Sequence, residues 1–434
     1  MTSFGGLVIF QHLFARLNLF ERVADCCAHL PGGASYSHAS VLRCLIVHLI
    51  LGCRRLREID FYRHDPLVQQ VVRLKVLPSV PTVSRLLQSF DTKSVDGLRA
   101  ANSQLVLERL AQSGSKTITL DFDGSVQSTR RHAEGTAVGF NKEKKGARSY
   151  YPLFCVVAQT GQVLDVLHRS GNVHDSRGSV EFVQQCVELA RRCLPGVRLE
   201  ARLDSAFFSD AMVRKLESLG IEYTISVPFE RFVVLKKVIE ERVWWKRVPD
   251  SQRHSQYFEW RWKPESWQKK SRFIFFRSTV GVQRKELIQL DLFRPVAFDH
   301  EYKVIVTNKP VGAKHVARFH EGRGCQEKIY AELKSQAQMG YVPCRRLVAN
   351  QVYLLCSMLV HNLGRELQME AQPEARPQTQ KRTALWIFEE LATLRRNIIQ
   401  RAGRLTRPQG RLTLCLPAIP TLQAAFARFI PANF

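Results

Sequence analysis

Through the first 113 residues the apolar positions recur every three or four places. VLRCLIVHLILG, LREIDFYRHDPLVQQVVRL and VPTVSRLLQSF all carry this spacing, which predicts short amphipathic helices. Pro66, Pro78 and Pro81 separate them, and Thr82 is expected to cap the last. From Lys116 the period shortens to two: KTITLDFDGS reads as a strand, and SYYPLFCVVA and QVLDVLHRS as two more around the turn Gln159-Thr160-Gly161. Helical spacing returns in SVEFVQQCVELARRCL. VRLEARLD follows as a strand, SDAMVRKLESLG as a helix capped by Ser209 or Asp210 and stopped by Gly220, and IEYTISV as a strand. Three consecutive strands, then helix, strand, helix and strand, predict an α/β fold: a mixed sheet with helices on both faces.

The pattern changes again between residues 228 and 300. ERVWWKRVPD, SQYFEWRWKPESW and KKSRFIFFRSTV alternate aromatic with charged residues, and read as a β-rich insertion with one face packed and the other basic. EYKVIVTN then resumes as a core strand, followed by a helical block from Lys314 to Leu367 and a Pro/Gln-rich linker, AQPEARPQTQ. One more helix is expected near Leu385–Arg395, and a hairpin in the basic segment after it. The expected division is a helical DNA-binding or dimerisation module at 1–113, a catalytic core at 114–227 and 301–370, the insertion at 228–300, and a linker with a basic C-terminal region at 371–434. Whether the helical module grips DNA or only packs on the core stays open.

Charge alters this picture more than composition does. In 434 residues, 64 Lys and Arg against 39 Asp and Glu leave a net +25, while apolar content of 45% is ordinary for a globular chain. Such an excess favours a polyanionic partner, and double-stranded DNA is the leading one. Eleven cysteines without CxxC spacing read as small buried hydrophobes in a reducing compartment. The N-terminus MTSFGGLVIF lacks a secretory pattern, and the run Val41–Cys53 is too short and too polar to span a bilayer. A cytoplasmic, nucleoid-associated protein with no membrane partner is therefore expected. No GxxxxGK[ST] or strand-to-helix GxGxxG occurs, so no nucleotide cofactor is expected.

Three acidic positions carry candidate chemistry. Asp123 ends a predicted strand before Gly124-Ser125, so its carboxylate can project from the sheet's edge; Asp121 shares its parity. Asp204 ends VRLEARLD in the same way. Either one alone reads equally well as a turn-former. The third lies in HEGRGCQEKIYAELKSQ, where a helix at about 100° per residue puts His320, Arg323, Glu327 and Lys334 within roughly 60° of one another. Glu321 and Glu332 fall about 120° and 140° from Glu327 by the same spacing. An ordinary i,i+4 pair on a solvated face is the competing reading. Lys142, Lys144, Lys145 and Arg148 make a basic loop after the first carboxylate, suited to a DNA backbone or merely solvated. Trp244, Trp245, Trp260, Trp262 and Trp267 suit either base contacts or the insertion's own core.

His320-x2-Arg323-x3-Glu327-x6-Lys334 resembles the Y-x2-R-x3-E-x6-K signature of a large group of bacterial insertion-sequence transposases of the DDE type. Asp123-Gly124-Ser125, Asp204 at the end of the fourth strand, and the 122 residues at positions 205–326 before Glu327 fit that group. GFNKEKKGARSYYPL and SGNVHDS look like one branch of it, and the resemblance covers Thr82 to Leu367. It departs at His320, where Tyr is usual. The resemblance implies a ribonuclease H-like core, with Asp123, Asp204 and Glu327 as catalytic and metal-binding carboxylates. It implies two Mg²⁺ or Mn²⁺ ions per site, and DNA contacts from Arg323, Lys334 and His320. The implied reaction is cleavage at transposon ends followed by strand transfer into target DNA, by a homodimer holding both terminal repeats. A non-transposing endonuclease on the same core, or an inactive DNA-binding copy, are the rival readings.

Overall fold

The computed structural model describes all residues except 34, 131, 140, 142–143, 174–176, 250–254, 280–299, 373 and 431–434. Its first segment turns the apolar 3–4 spacing into α1 (Leu7–Arg16), α2 (Leu19–Asp25), α3 (His38–Ile50), α4 (Pro66–Val72), α5 (Val80–Gln88) and α6 (Thr92–Gln112). Side chains close their starts. Asp65 accepts from the amides of Leu67 and Val68 ahead of Pro66, and Asp91 accepts from Ser94. α5 begins after Ser79, so Thr82 lies inside its first turn and does not cap it; the two hydroxyls are 3.0 Å apart.

Thr, Ile and Leu alternate through TITLDFDG without a breaker before Gly124, and the segment forms β1 (Thr117–Gly124). A small three-stranded sheet rises beyond it, from β2 (Gln127–Ser128), β3 (Ala137–Val138) and β4 (Arg148–Tyr150). β5 (Leu153–Val157) and β6 (Gln162–Leu167) return as a hairpin, turning at Gly161 with φ +63°. α7 (Ser179–Cys193) leads to β7 (Arg198–Leu203), and α8 (Asp210–Ser218) to β8 (Glu222–Ser226). Ser209 caps α8 and Gly220, at φ +60°, ends it.

β1, β7 and β8 are parallel and β5 and β6 antiparallel, in the order β6-β5-β1-β7-β8. This is the ribonuclease H-like mixed sheet flanked by helices that the element order implied. The β-rich segment supplies α9 (Val233–Glu240), β9 (Lys246–Arg247), β10 (Gln256–Trp262) and β11 (Ser271–Thr279), and β12 (His300–Thr307) follows it. These strands do not form a sheet of their own. β12 pairs with β8, and β11, β10 and β9 continue outward, giving one sheet of nine strands.

Beyond β12 come α10 (Ala313–Glu321), a 3₁₀ turn at Gly322–Gly324, α11 (Cys325–Ser335) and α12 (Leu347–Ala371). α12 is long and apolar enough to cross a membrane by composition, but it lies buried against α3, α6 and β6. One continuous core joins it to the N-terminal helices and to the sheet. The chain then straps back across the sheet, where Gln378 donates to the carbonyl of Thr117 and the Leu385 amide to that of Gln159. Near the end, Arg404–Thr406 pairs antiparallel with Thr413–Cys415 as the expected hairpin.

Candidate active site

β1 and β7 run parallel with Asp121 opposite Arg202 and Phe122 opposite Leu203, so Asp123, still paired with Phe154 of β5, and Asp204, just past β7, come next to each other at the sheet's C-terminal edge. Asp123 and Asp204 are brought together by that register. Asp123 is 18% exposed, and one of its oxygens accepts from the Gly124 amide at 2.8 Å. Gly124 is required there: a Cβ would stand 2.5 Å from the Tyr151 ring and hydroxyl. Asp204, in extended backbone just past β7, is 34% exposed.

Arg323 serves both carboxylates. Its Nη1 donates to Asp123 Oδ2 at 3.0 Å, and its Nη2 lies 3.7 Å from Asp204 Oδ1. Burial raises the Asp123 carboxyl to about 6; Arg323 opposes the shift and the charge of Asp204 adds to it. One guanidinium therefore answers two carboxylates at the rim.

Glu327 is not part of this cluster. It is exposed on α11, one residue past Gln326, which is buried with neither amide atom partnered. Tyr330, on the same face as Gln326, is buried, its hydroxyl partnerless and within the electrostatic reach of Asp123. The cause is the 3₁₀ turn, where each residue rotates about 120° instead of about 100°. An unbroken helix would align Arg323 with Glu327, whereas the overwound turn carries Glu327 outward.

The remaining expected residues divide. His320 does not face DNA: it is 1% exposed, with its ring nitrogens 2.9 Å from Thr224 Oγ1 and 2.8 Å from Ser226 Oγ. Burial, then the charges of Lys303, Arg323 and Arg202, holds it well below its ordinary value, so it is neutral. Lys334 is half-buried at the end of α11. Lys144 and Lys145 are exposed between β3 and β4, and Lys142 lies outside the described residues. Arg148 is committed to the Thr136 carbonyl and hydroxyl. Four of the five tryptophans pack inward, such as Trp245 edge-on to Phe258 and Trp267 against Phe208, while Trp244 is 81% exposed.

Several residues escaped sequence reasoning. Arg202 pairs with Asp121, Tyr330 feels the charge of Asp123 and Lys303 that of Asp204, and only Arg202 left a usable signal. A charge inside a strand buried on both faces survives only when paired, and Asp121 in the neighbouring strand is its complement.

Among the described residues no three His, Cys, Asp or Glu converge closely enough to hold a metal ion. The aspartate pair nevertheless fits a divalent cation as a donor set. Two hard oxygen ligands stand together with one positive charge between them, and partnerless polar atoms of Gln326 and Tyr330 lie on the adjoining helix face.

Over residues 1–432 the chain matches the family model described as Transposase DDE domain group 1. No curated protein matches it. A piggyBac transposase synaptic complex with hairpin DNA is similar over 87% of this chain and 74% of that one, with 9% identity and a TM-score of 0.46. A Mos1 transposase paired-end complex with left transposon end covers 45% of this chain and 60% of that one, with 13% identity and a TM-score of 0.18. Likeness this distant carries no weight beside the family match.

Proposed function

The chain belongs to the DDE transposase family of group 1, a family of metal-dependent DNA-cleaving and strand-transfer enzymes, and from that premise we propose how its own residues divide the work. Asp123, Asp204 and Glu327 hold two Mg²⁺ or Mn²⁺ ions. The observation that carries this reading is the juxtaposition of Asp123 and Asp204 at the ends of parallel neighbouring strands, with the Asp123 proton affinity raised by burial. Glu327 joins them when α11 turns about the Gly322–Gly324 segment, exchanging places with the partnerless Gln326 amide.

Bound there, divalent metal supplies an activated water or 3′-hydroxyl and stabilises the departing oxygen. The protein's own part is positional. Arg323, freed from the two aspartates, turns its fork to the phosphates flanking the scissile bond, and Lys334 adds a second cation. In the first step a water oxygen bonds to phosphorus, the bond from phosphorus to the 3′-oxygen breaks, and that oxygen leaves as a hydroxyl. In the second, this 3′-hydroxyl attacks a target phosphodiester, forming one phosphorus–oxygen bond as another breaks. The number of diester bonds is conserved in that step, which is why no nucleotide cofactor enters the scheme. Double-stranded DNA is the substrate, a homodimer brings its two terminal repeats together, and Lys144 and Lys145 track the backbone. Residues 1–113 and 371–434 extend that grip.

The test is cleavage of a duplex carrying the element's terminal repeat in Mg²⁺ and in Mn²⁺, wild type beside Asp123→Asn, Asp204→Asn and Glu327→Gln. Cleavage at the repeat boundary by wild type alone is expected. Wild-type binding without cleavage in either metal would sink the reading.

A further inference from the structure

One wholly buried residue ties the strands of both aspartates to the helix that leads into the Arg323 turn, without reaching the rim. The Arg202 side chain is 0% exposed. Its Nε and Nη2 grip Asp121 Oδ1 and Oδ2 at 2.5 and 2.6 Å. Its Nη1 donates to the carbonyls of Phe319 at 2.9 Å and Lys381 at 2.7 Å, and its guanidinium lies 5.3 Å over the Phe319 ring. Asp121 stands two residues before Asp123 in β1, and Arg202 two before Asp204. Phe319 lies in the last turn of α10, and the 3₁₀ turn that follows carries Arg323, with Glu327 beyond it. The third anchor, Lys381, sits in the strap that crosses the sheet after α12.

Gly322 shows how tightly this junction closes. A Cβ there would stand 1.9 Å from the Lys381 carbonyl and 2.0 Å from Arg202 Nη1. Only glycine lets the turn before Arg323 sit directly on the guanidinium. Stability alone does not account for the arrangement, since a well-packed apolar pair usually replaces a buried ion pair without loss. An apolar pair cannot, however, donate to two carbonyls of two other segments.

We propose that Arg202, held by Asp121, is a positioning residue that fixes the spacing of Asp123, Asp204 and the Gly322–Gly324 pivot from which α11 carries Glu327, with the Lys381 carbonyl as its anchor on the strap. The inference rests on reading those three carboxylates as metal ligands, and it assigns the charged pair beneath them the task of setting their geometry.

The test replaces both partners by leucine, as Asp121→Leu with Arg202→Leu, and reads amide hydrogen exchange, Mn²⁺ binding by electron paramagnetic resonance, terminal-repeat affinity and single-turnover cleavage. The expected result is faster exchange confined to residues 319–327, with the strands still protected, and DNA affinity unchanged. Mn²⁺ binding weakens ~10-fold and cleavage slows ~100-fold, the range typical of losing support behind metal ligands. Exchange and Mn²⁺ affinity equal to wild type would overturn the proposal. Should the double variant fail to fold, Arg202→Lys decides: its single ammonium can pair with Asp121 but cannot also serve both carbonyls. The same changes on a smaller scale support the proposal, and wild-type behaviour overturns it. Wild type that neither binds Mn²⁺ nor cleaves would defeat the reading of the carboxylates instead, and exchange at 319–327 would still judge the role of Arg202.

Discussion

Asp121 and Asp123 stand two residues apart on one face of the same strand and have opposite surroundings. Asp121 is 2% exposed and matched one-to-one by the fork of Arg202. Asp123 shares Arg323 with Asp204, so two carboxylates at the rim divide one guanidinium. The inner pair is electrically closed and belongs to the fold. Burial raises both carboxyls, but Asp121 has the whole of Arg202 against that shift, whereas Asp123, at about 6, has an Arg323 that Asp204 also draws on. Residue type and strand parity give the two aspartates the same reading here; the count of partners separates them.

Neutralising each aspartate in turn gives the widest contrast. Asp121→Asn leaves Arg202 buried without its counter-charge, and should cost about 3–5 kcal/mol by thermal unfolding. Asp123→Asn should act in the opposite sense. Its folded pKa lies above the ordinary 3.8, so its contribution to stability is full below that value and is lost as pH rises through about 6. At neutral pH its ionised form burdens the fold by up to about 3 kcal/mol, the worth of some two pKa units. Asp123→Asn should therefore raise Tm at pH 7 while cleavage falls by roughly a thousandfold or more, the scale of losing a group that acts on the transition state. Mn²⁺ affinity of the wild type should drop as pH is lowered below 6, because protonated Asp123 is no ligand. A lower Tm for Asp123→Asn would mean that the rim is structural too.

α11 repeats the comparison with two glutamates five residues apart. Glu332 is 6% exposed, paired with Arg365, and accepts from the Leu391 amide at 3.1 Å. Glu327 is exposed. Glu332→Gln, which spacing alone marks as harmless, should cost about 1–3 kcal/mol for the buried cation it leaves under-satisfied. Glu327→Gln should leave stability within about 0.5 kcal/mol of wild type and remove cleavage. If Glu327→Gln cleaves normally, α11 does not turn and the third ligand must be sought elsewhere.

Local pattern carried the element order, the ends of β1 and β7, the Ser209 cap and the Gly220 stop, because each depends on residues a few positions apart. Pairings set far along the chain were not legible. Nothing in SQYFEWRWKPESW says that β10 and β11 extend the main sheet through β12; only the β8–β12 register does. The phase of Glu327 was lost for a subtler reason. Gly322 and Gly324 signalled a weak helix start, yet the close packing of Gly322 on Arg202 and the Lys381 carbonyl joins residues too far apart in the chain to be read from spacing. His320 shows the same limit: helical spacing placed it on a functional stripe, and Thr224 and Ser226 in β8 drew it into the core.

The smallest expected effect separates the arch between β3 and β4 from both aspartates. Arg148 spends its guanidinium on Thr136, tying the residues that flank β3 and β4, while Lys144 and Lys145 are exposed ahead of β4. A lysine that touches a phosphate releases a counterion on binding, so its loss reduces the slope of log affinity against log salt by about 0.9 on duplex DNA. Lys144→Ala and Lys145→Ala should each lower that slope by about this amount, weaken terminal-repeat binding a few-fold at low salt, and leave Tm and Mn²⁺ affinity alone. Arg148→Ala should do the reverse, loosening the arch to hydrogen exchange with less change in slope. An unchanged slope in Lys144→Ala and Lys145→Ala together would place the DNA off the arch, and the basic loop would then be a solvated surface beside the site rather than part of its grip.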